Sequence, residues 1–300
     1  AGRPRHGRLA EDSDAGALNM TGPLCAIDHV MLAAGALDAA QKLWRALGFT
    51  PTPRAVHGGG ATANHCLMFR DTYIELIAPT GASGSPLAEG LAARGPGGMG
   101  IAFAAPDADA TAAALRDAGI ATQDPVALSR PLELDGRTET VSFRNVMFEG
   151  GLPGVFAFAC HHATPLLTRA RAEWQLHANG ATGLSEVVIG AAHPADFRPA
   201  LERLFGIDHV ADGPHGLSVV LDGVALAVTS PVGLAQRFGT KALDGLSPLP
   251  GIAALSIVVN EADAAGAMLD MARIPYADGH HGLVVGAKDA GGVIVELVED

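Results

Sequence analysis

His29 and Glu75 are the residues whose types and placing point most directly to chemistry. His29 lies in the apolar run Cys25-Ala26-Ile27-Asp28-His29-Val30-Met31-Leu32, and Glu75 in the run Thr72-Tyr73-Ile74-Glu75-Leu76-Ile77. Both runs read as strands. Side by side in one curved sheet, an imidazole nitrogen and a carboxylate oxygen can hold one divalent ion. Mixed nitrogen and oxygen coordination with open positions suits Zn, Mn, Fe, Ni or Co. Such an ion polarises substrate oxygens as a Lewis acid. Other catalytic templates are missing from the sequence. It has no GxGxxG after a strand, no Walker loop and no GxSxG elbow, and His161-His162 and His280-His281 do not form HExxH. Cys66 and Cys160 read as packing, since small cysteines on apolar strands are generally inert.

The strands carrying His29 and Glu75 belong to a pattern that returns four times: a strand, an amphipathic helix, then further short strands. In the first copy the helix spans 37–47, and Asn64-His65-Cys66-Leu67-Met68-Phe69 precedes the strand of Glu75. The second copy has strands at 100–104, 126–128, 140–144 and 155–159, with a helix from Asp107, a plausible N-cap, to Gly119. The third starts at 184–189, continues with a helix over 194–205, and closes with a hairpin turned at Asp222-Gly223. The fourth has strands at 254–259, 283–285 and 293–297, with a helix over 262–273. One copy cannot cover its own sheet face, so the copies are expected to pair. The expected organisation is an arm over 1–22, a first domain over 23–165, a linker over 166–183 and a second domain over 184–300. Trp174 suggests that the linker packs onto something.

The 300 residues are 48% hydrophobic and 17% charged, enough for two domains with large cores. The net charge of -12 argues against a nucleic-acid partner, which needs clustered Lys and Arg. Three cysteines without CxxC spacing argue against a disulfide framework or a structural zinc site, and for a reduced, cytoplasmic setting. No apolar run approaches the roughly 20 residues of a membrane helix. The first residues are basic, but Glu11, Asp12 and Asp14 interrupt any signal-peptide core. Met20 is a candidate natural start, preceded by either an expression scar or an over-called start.

Ile27-Asp28-His29-Val30, Ala46-Leu47-Gly48-Phe49 and Tyr73-Ile74-Glu75-Leu76-Ile77-Ala78-Pro79 together resemble the glyoxalase-like branch of the vicinal oxygen chelate superfamily, the glyoxalase/bleomycin resistance/extradiol dioxygenase type. The resemblance is strongest over residues 25–183 and includes Thr62-Ala63-Asn64-His65, Ser129-Arg130-Pro131 and His177-Ala178-Asn179-Gly180. The second half matches at repeat level, through Ala290-Gly291-Gly292-Val293-Ile294-Val295-Glu296-Leu297. The resemblance implies an α+β fold of four βαβββ modules, paired into two cup-like curved-sheet domains around a divalent metal. His29 and Glu75 match ligand positions on the first and fourth strands of a module. The second module departs from the pattern: Gly100 stands at its first-strand position, and Phe156 and Phe158 precede Cys160-His161-His162. A third ligand would then come from His65, His161 or His162. Glu186, Glu296 and His281 are fainter candidates in the second half.

Arg130 and Arg144 fall on neighbouring strands, and their forked donors suit a substrate carboxylate if they face the cup. Asn64 and Arg54 are further substrate-binding candidates, Arg54 beside His57 and the triple glycine Gly58-Gly59-Gly60. The expected function is that of a metal-dependent lyase or isomerase acting on a small oxygen-chelating metabolite, with Glu75 as ligand and general base. A non-catalytic sequestering protein of the same fold is the alternative, favoured by the apolar Phe156 and Phe158. A ring-cleaving dioxygenase is a second alternative, and would need iron with two His and one carboxylate. Four modules in one chain allow a monomer, and pairing between chains would give a homodimer.

Overall fold

The computed structural model describes residues 21–81, 85–134, 136–164 and 171–299. Residues 1–20 of the expected arm lie outside the described residues. Gly22 lies against Phe205, and Leu24 is fully buried.

The first half runs β1 (Ile27–Ala33), α1 (Leu37–Ala46), β2 (Ala55–Val56), β3 (Thr62–Met68), β4 (Tyr73–Pro79), α2 (Pro86–Arg94), β5 (Gly97–Ala104), α3 (Ala108–Asp117), β6 (Val126–Leu134), β7 (Arg137–Met147) and β8 (Phe156–His162). Its eight strands form one sheet in the order β2-β3-β4-β1-β5-β8-β7-β6. The edge strands β2 and β6 approach each other, so the sheet curls into a cup. The second half repeats this with β9 (Ala181–Gly190), α4 (Arg198–Phe205), β10 (Ala211–Gly213), β11 (Gly216–Leu221), β12 (Val224–Thr229), α5 (Pro231–Phe238), β13 (Gly251–Val259), α6 (Ala262–Ala272), β14 (Ala277–Asp278), β15 (Gly282–Val285) and β16 (Ile294–Glu299). Its order, β10-β11-β12-β9-β13-β16-β15-β14, is the same topology. The fold is therefore α+β, four modules paired into two curved sheets.

Strand periodicity sorts the side chains. On β4, Ile74, Leu76 and Ala78 join the core under the helices, while Tyr73, Glu75 and Ile77 face into the cup. Helix α1 closes the convex side with Leu37 and Trp44. Burying each of Ile74 and Leu76 stabilises the fold by about 1.5–3 kcal/mol. One hydrophobic cluster runs through both halves, and Phe103 meets Phe205 with ring centroids 5.3 Å apart. At the junction, a Cβ on Gly98 would lie 2.4 Å from the Ile252 Cβ, so only glycine lets β5 come this close.

The segment joining the halves packs onto the first cup, as Trp174 suggested. Trp174 is buried beside Met68 and Tyr73. His177 Nδ1 accepts from the Thr50 amide at 3.0 Å, and its Nε2 lies 3.0 Å from the Met68 carbonyl, to which it donates. The Asn179 amide donates to the Leu47 carbonyl. Residues 165–170 lie outside the described residues.

Candidate functional site

The site begins with an irregularity in β1. Ile27 pairs with Phe103 and His29 with Ala102, so Asp28 is an extra residue in the ladder. Such a bulge re-aims side chains. In a regular strand Asp28 and His29 would point to opposite faces. Here the carboxylate reaches its neighbour, and Asp28 Oδ2 accepts from His29 Nδ1 at 2.7 Å. That bond leaves Nε2 of a neutral His29 with its lone pair, aimed into the cup. The ring is held by stacking on Tyr73, with centroids 4.4 Å apart and planes at 17°, and by the edge of Phe158 at 5.8 Å.

Glu75 faces His29 from β4, with Oε2 3.6 Å from His29 Nε2. Two electron-rich atoms so placed call for a proton or a cation between them. The other oxygen, Oε1, accepts from Asn64 Nδ2 at 2.5 Å and lies 3.3 Å from His57 Nε2. His57 is itself tied to Thr62 Oγ1 at 2.8 Å, where the Gly58 loop begins. Burial alone would push the Glu75 carboxyl up. The hydrogen bond and charge of His57, the charge of His29 and the Asn64 amide outweigh it, and the pKa falls to about 2. Asp28 is likewise buried, yet hydrogen bonds from His162 and His29 hold it well below the usual carboxylate range.

His29, His57, Asn64, Tyr73 and Glu75 line one side of a cavity of about 270 Å³. The other side is largely apolar, with Met99, Phe143, Met147, Phe156 and Phe158 around Arg130, Asn145, Cys160 and His162. Gly100 on β5 pairs with Met31 and Phe156, and a Cβ there would meet the Phe156 carbonyl oxygen at 2.4 Å. No side chain fits at that position, so the second module offers no donor there.

The structure gathers some of the sequence candidates and separates others. His29, Glu75 and Asn64 meet in the cup, and Arg130 lines the same cavity. His162 also lines it, but its Nε2 donates to Asp28 at 2.9 Å rather than approaching Glu75. His65 faces the other way on β3, its Nδ1 on the Thr52 carbonyl at 2.6 Å, because strand alternation turns Asn64 and Cys66 inward. His161 also faces outward and bonds the Ala105 carbonyl. Arg144 points away from the cup and forms a two-pronged ion pair with Asp109 on α3, at 2.7 and 2.9 Å. Arg54 and His281 are exposed and do not line the cavity. Among the described residues, one trio of His, Cys and acidic groups brings its donor atoms within 4.8 Å of one another: Asp28, Cys160 and His162. Asp28, His57 and Asn145 are site residues that sequence reasoning did not single out as ligands or binders. The position of Asp28 depends on a bulge that only the pairing register reveals.

The second cup is occupied from within. Arg237 of α5 reaches Glu186 at 2.5 Å and Glu296 at 2.7 Å, and Ser256 Oγ donates to Glu296 at 2.8 Å. Glu186 pairs with Ser256, and Ser256 with Glu296, just as His29 pairs with Ala102 and Ala102 with Phe158. An arginine therefore meets the charge of both acidic candidates of this half.

A family model described as "Glyoxalase-like domain" matches residues 27–205. Among solved structures, a hypothetical protein from Staphylococcus aureus is 12% identical with a TM-score of 0.66, the match covering 92% of this chain and 100% of that one. A variant of 4-hydroxymandelate synthase from Streptomyces coelicolor is 14% identical with a TM-score of 0.56, covering 92% and 93%. At these identities the two likenesses show a shared fold. Methylmalonyl-CoA epimerase from Streptomyces coelicolor is 27% identical over 47% of this chain and 99% of its own, with a TM-score of 0.38. No curated protein matches the chain.

Proposed function

The chain belongs to the glyoxalase-like domain family of the vicinal oxygen chelate superfamily, and from that premise we propose that it is a metal-dependent lyase or isomerase of a small oxygen-chelating metabolite. The observation that carries this reading is the facing pair of His29 Nε2 and Glu75 Oε2, 3.6 Å apart. Two ligands of one ion at about 2.0–2.2 Å each can span that gap, so the donor set fits a divalent metal. Solvent and substrate would complete the shell. Bound there, the ion would supply Lewis-acid polarisation of two adjacent substrate oxygens.

The chain's own residues divide the remaining work. Asp28 fixes the tautomer and ring plane of His29, as carboxylates behind metal-bound histidines do. Asn64 holds one oxygen of Glu75 and leaves the other towards His29. A carboxyl held to about 2 stays ionised and is a weak base, which suits Glu75 as a ligand more than as the proton carrier. His57 borders the cavity beside Glu75 and is the group placed to pass a proton to or from a bound substrate. The apolar far wall keeps water away from the reacting face.

One observation favours a second reading, a binding protein without catalysis. The far wall is largely apolar, and Gly100 has no room for a ligand. Elemental analysis of protein purified without a metal-affinity step separates the two. About one metal per chain, absent from a His29→Ala/Glu75→Ala variant, supports the metalloenzyme, and iron would point towards ring-cleaving chemistry. No metal after reconstitution with Mn, Fe, Ni and Zn overturns it and leaves the sequestering protein.

A further inference from the structure

Arg130 is 8% exposed, lines the cavity, and makes no hydrogen bond or ion pair with any described residue. Its neighbour in sequence type, Arg144, shows the ordinary outcome, a guanidinium clamped on a carboxylate. A buried cation without an anion is strongly disfavoured, so such a group marks a place where an anion is expected. The guanidinium is planar and presents paired donors, the match for a carboxylate. Farther along the same wall, the Asn145 amide oxygen is buried and unpartnered. Between and around them lie Phe143, Met147 and Phe158, while Leu128 and Phe156 stay exposed at the apolar rim.

We infer that the cavity takes a small carboxylic acid with an apolar body, its carboxylate seated on Arg130 and a second polar group on the Asn145 amide. The inference rests on the reading above that this cup is the working site, and it names the substrate class. A volume of about 270 Å³ lies just under the range of drug-sized pockets, so the acid is a small one. The carboxylate fills the polar end, and the aryl or branched alkyl portion covers the aromatic and methionine wall. Whatever oxygens the acid carries beside its carboxylate then face His29 and Glu75.

The test is calorimetric titration of the full chain with phenylacetate and phenylpyruvate, each against neutral phenylacetamide. The parent should bind the acids on the order of 30-fold more tightly than the amide, the discrimination lost when one member of a buried charge pair is removed. Arg130→Gln should abolish that preference while its metal content matches the parent. Its melting temperature without ligand should equal or exceed the parent's, because no described protein group loses a partner. Arg130→Lys, which keeps the charge and loses the fork, should fall between the two. Equal binding of acid and amide by the parent overturns the inference, as does an unchanged preference in Arg130→Gln. A clear fall in the unliganded melting temperature of both variants also overturns it, by showing a structural role. An acid preference in a parent that takes up no metal would sink the metalloenzyme reading alone and uphold this one.

Discussion

Replacing Arg237 by methionine should unfold the second cup far more easily than any surface change. Glu296 is fully buried, and two of its neighbours, Arg237 and Ser256, meet the same oxygen, Oε2. Its other oxygen is already without a partner. Arg237 also carries the contact to Glu186. Taking the guanidinium away leaves one fully buried and one largely buried carboxylate with a single hydroxyl between them. Removing one partner of a buried pair costs about 3–5 kcal/mol, a large share of the roughly 5–15 kcal/mol that holds a domain together. Urea unfolding followed by far-ultraviolet circular dichroism measures the loss. Both tryptophans, Trp44 and Trp174, lie in or against the first cup, so fluorescence reports that half separately. The circular dichroism midpoint should fall more than the fluorescence midpoint. The double variant Arg237→Met/Glu296→Leu should recover most of the loss, because an apolar replacement of a buried pair is often neutral or stabilising. A loss below about 1 kcal/mol in the single variant, a value typical of exposed pairs, would refute the reasoning. A double variant no better than the single would do the same.

Two further outcomes follow from the first cup. Asp28→Asn should weaken metal binding about 10–100-fold in a chelator competition, since the carboxylate behind His29 sets its tautomer; unchanged affinity would remove Asp28 from that role. The Glu75 carboxyl lies at about 2 in the folded chain, below the roughly 4.3 of an unfolded glutamate. A depressed carboxyl contributes stability fully above the unfolded value and loses it as pH falls through the folded value. Metal-stripped protein should therefore lose on the order of 3 kcal/mol from this group between about pH 4.3 and pH 2. Glu75→Gln should lack that part of the slope, and identical acid profiles for the two proteins would contradict it.

Much of the fold was legible because its strands alternate and its helices are amphipathic. The strand at 72–77 and the helix at 37–47 were readable within a residue or two of β4 and α1. The short elements were not: α2 buries no residue and so carries little periodic signal, and β2, β10 and β14 have two or three residues each. Strand β8 runs on to His162 where the apolar run suggested an end at Ala159, because His161 and His162 keep the ladder with β7. Side-chain direction was the harder part. Arg130 and Arg144 look equivalent in sequence, yet the register of β7 turns Phe143 and Asn145 inward and Arg144 out towards Asp109. His65 and Asn64 are adjacent, and one step of alternation decides which of them meets Glu75.

The two cups use one topology with opposite electrostatics, and that contrast favours the first as the proposed site. In the second, both acidic groups and the cation that answers them come from the same half, so the charges are met without any ligand. In the first, the acidic group and the cation are kept apart. Glu75 faces His29, and Arg130 lines the cavity among apolar residues. Had Arg130 been placed to reach Glu75, the two would have answered each other as Arg237 answers Glu186 and Glu296. His57 and Asn64 already meet Glu75, whereas Arg130 held in a buried space without an anion costs stability that the chain has no structural reason to forgo. On the reading proposed above, an acid seated on Arg130 would remove that cost. On that reading the first cup is the one left to be completed by what it binds.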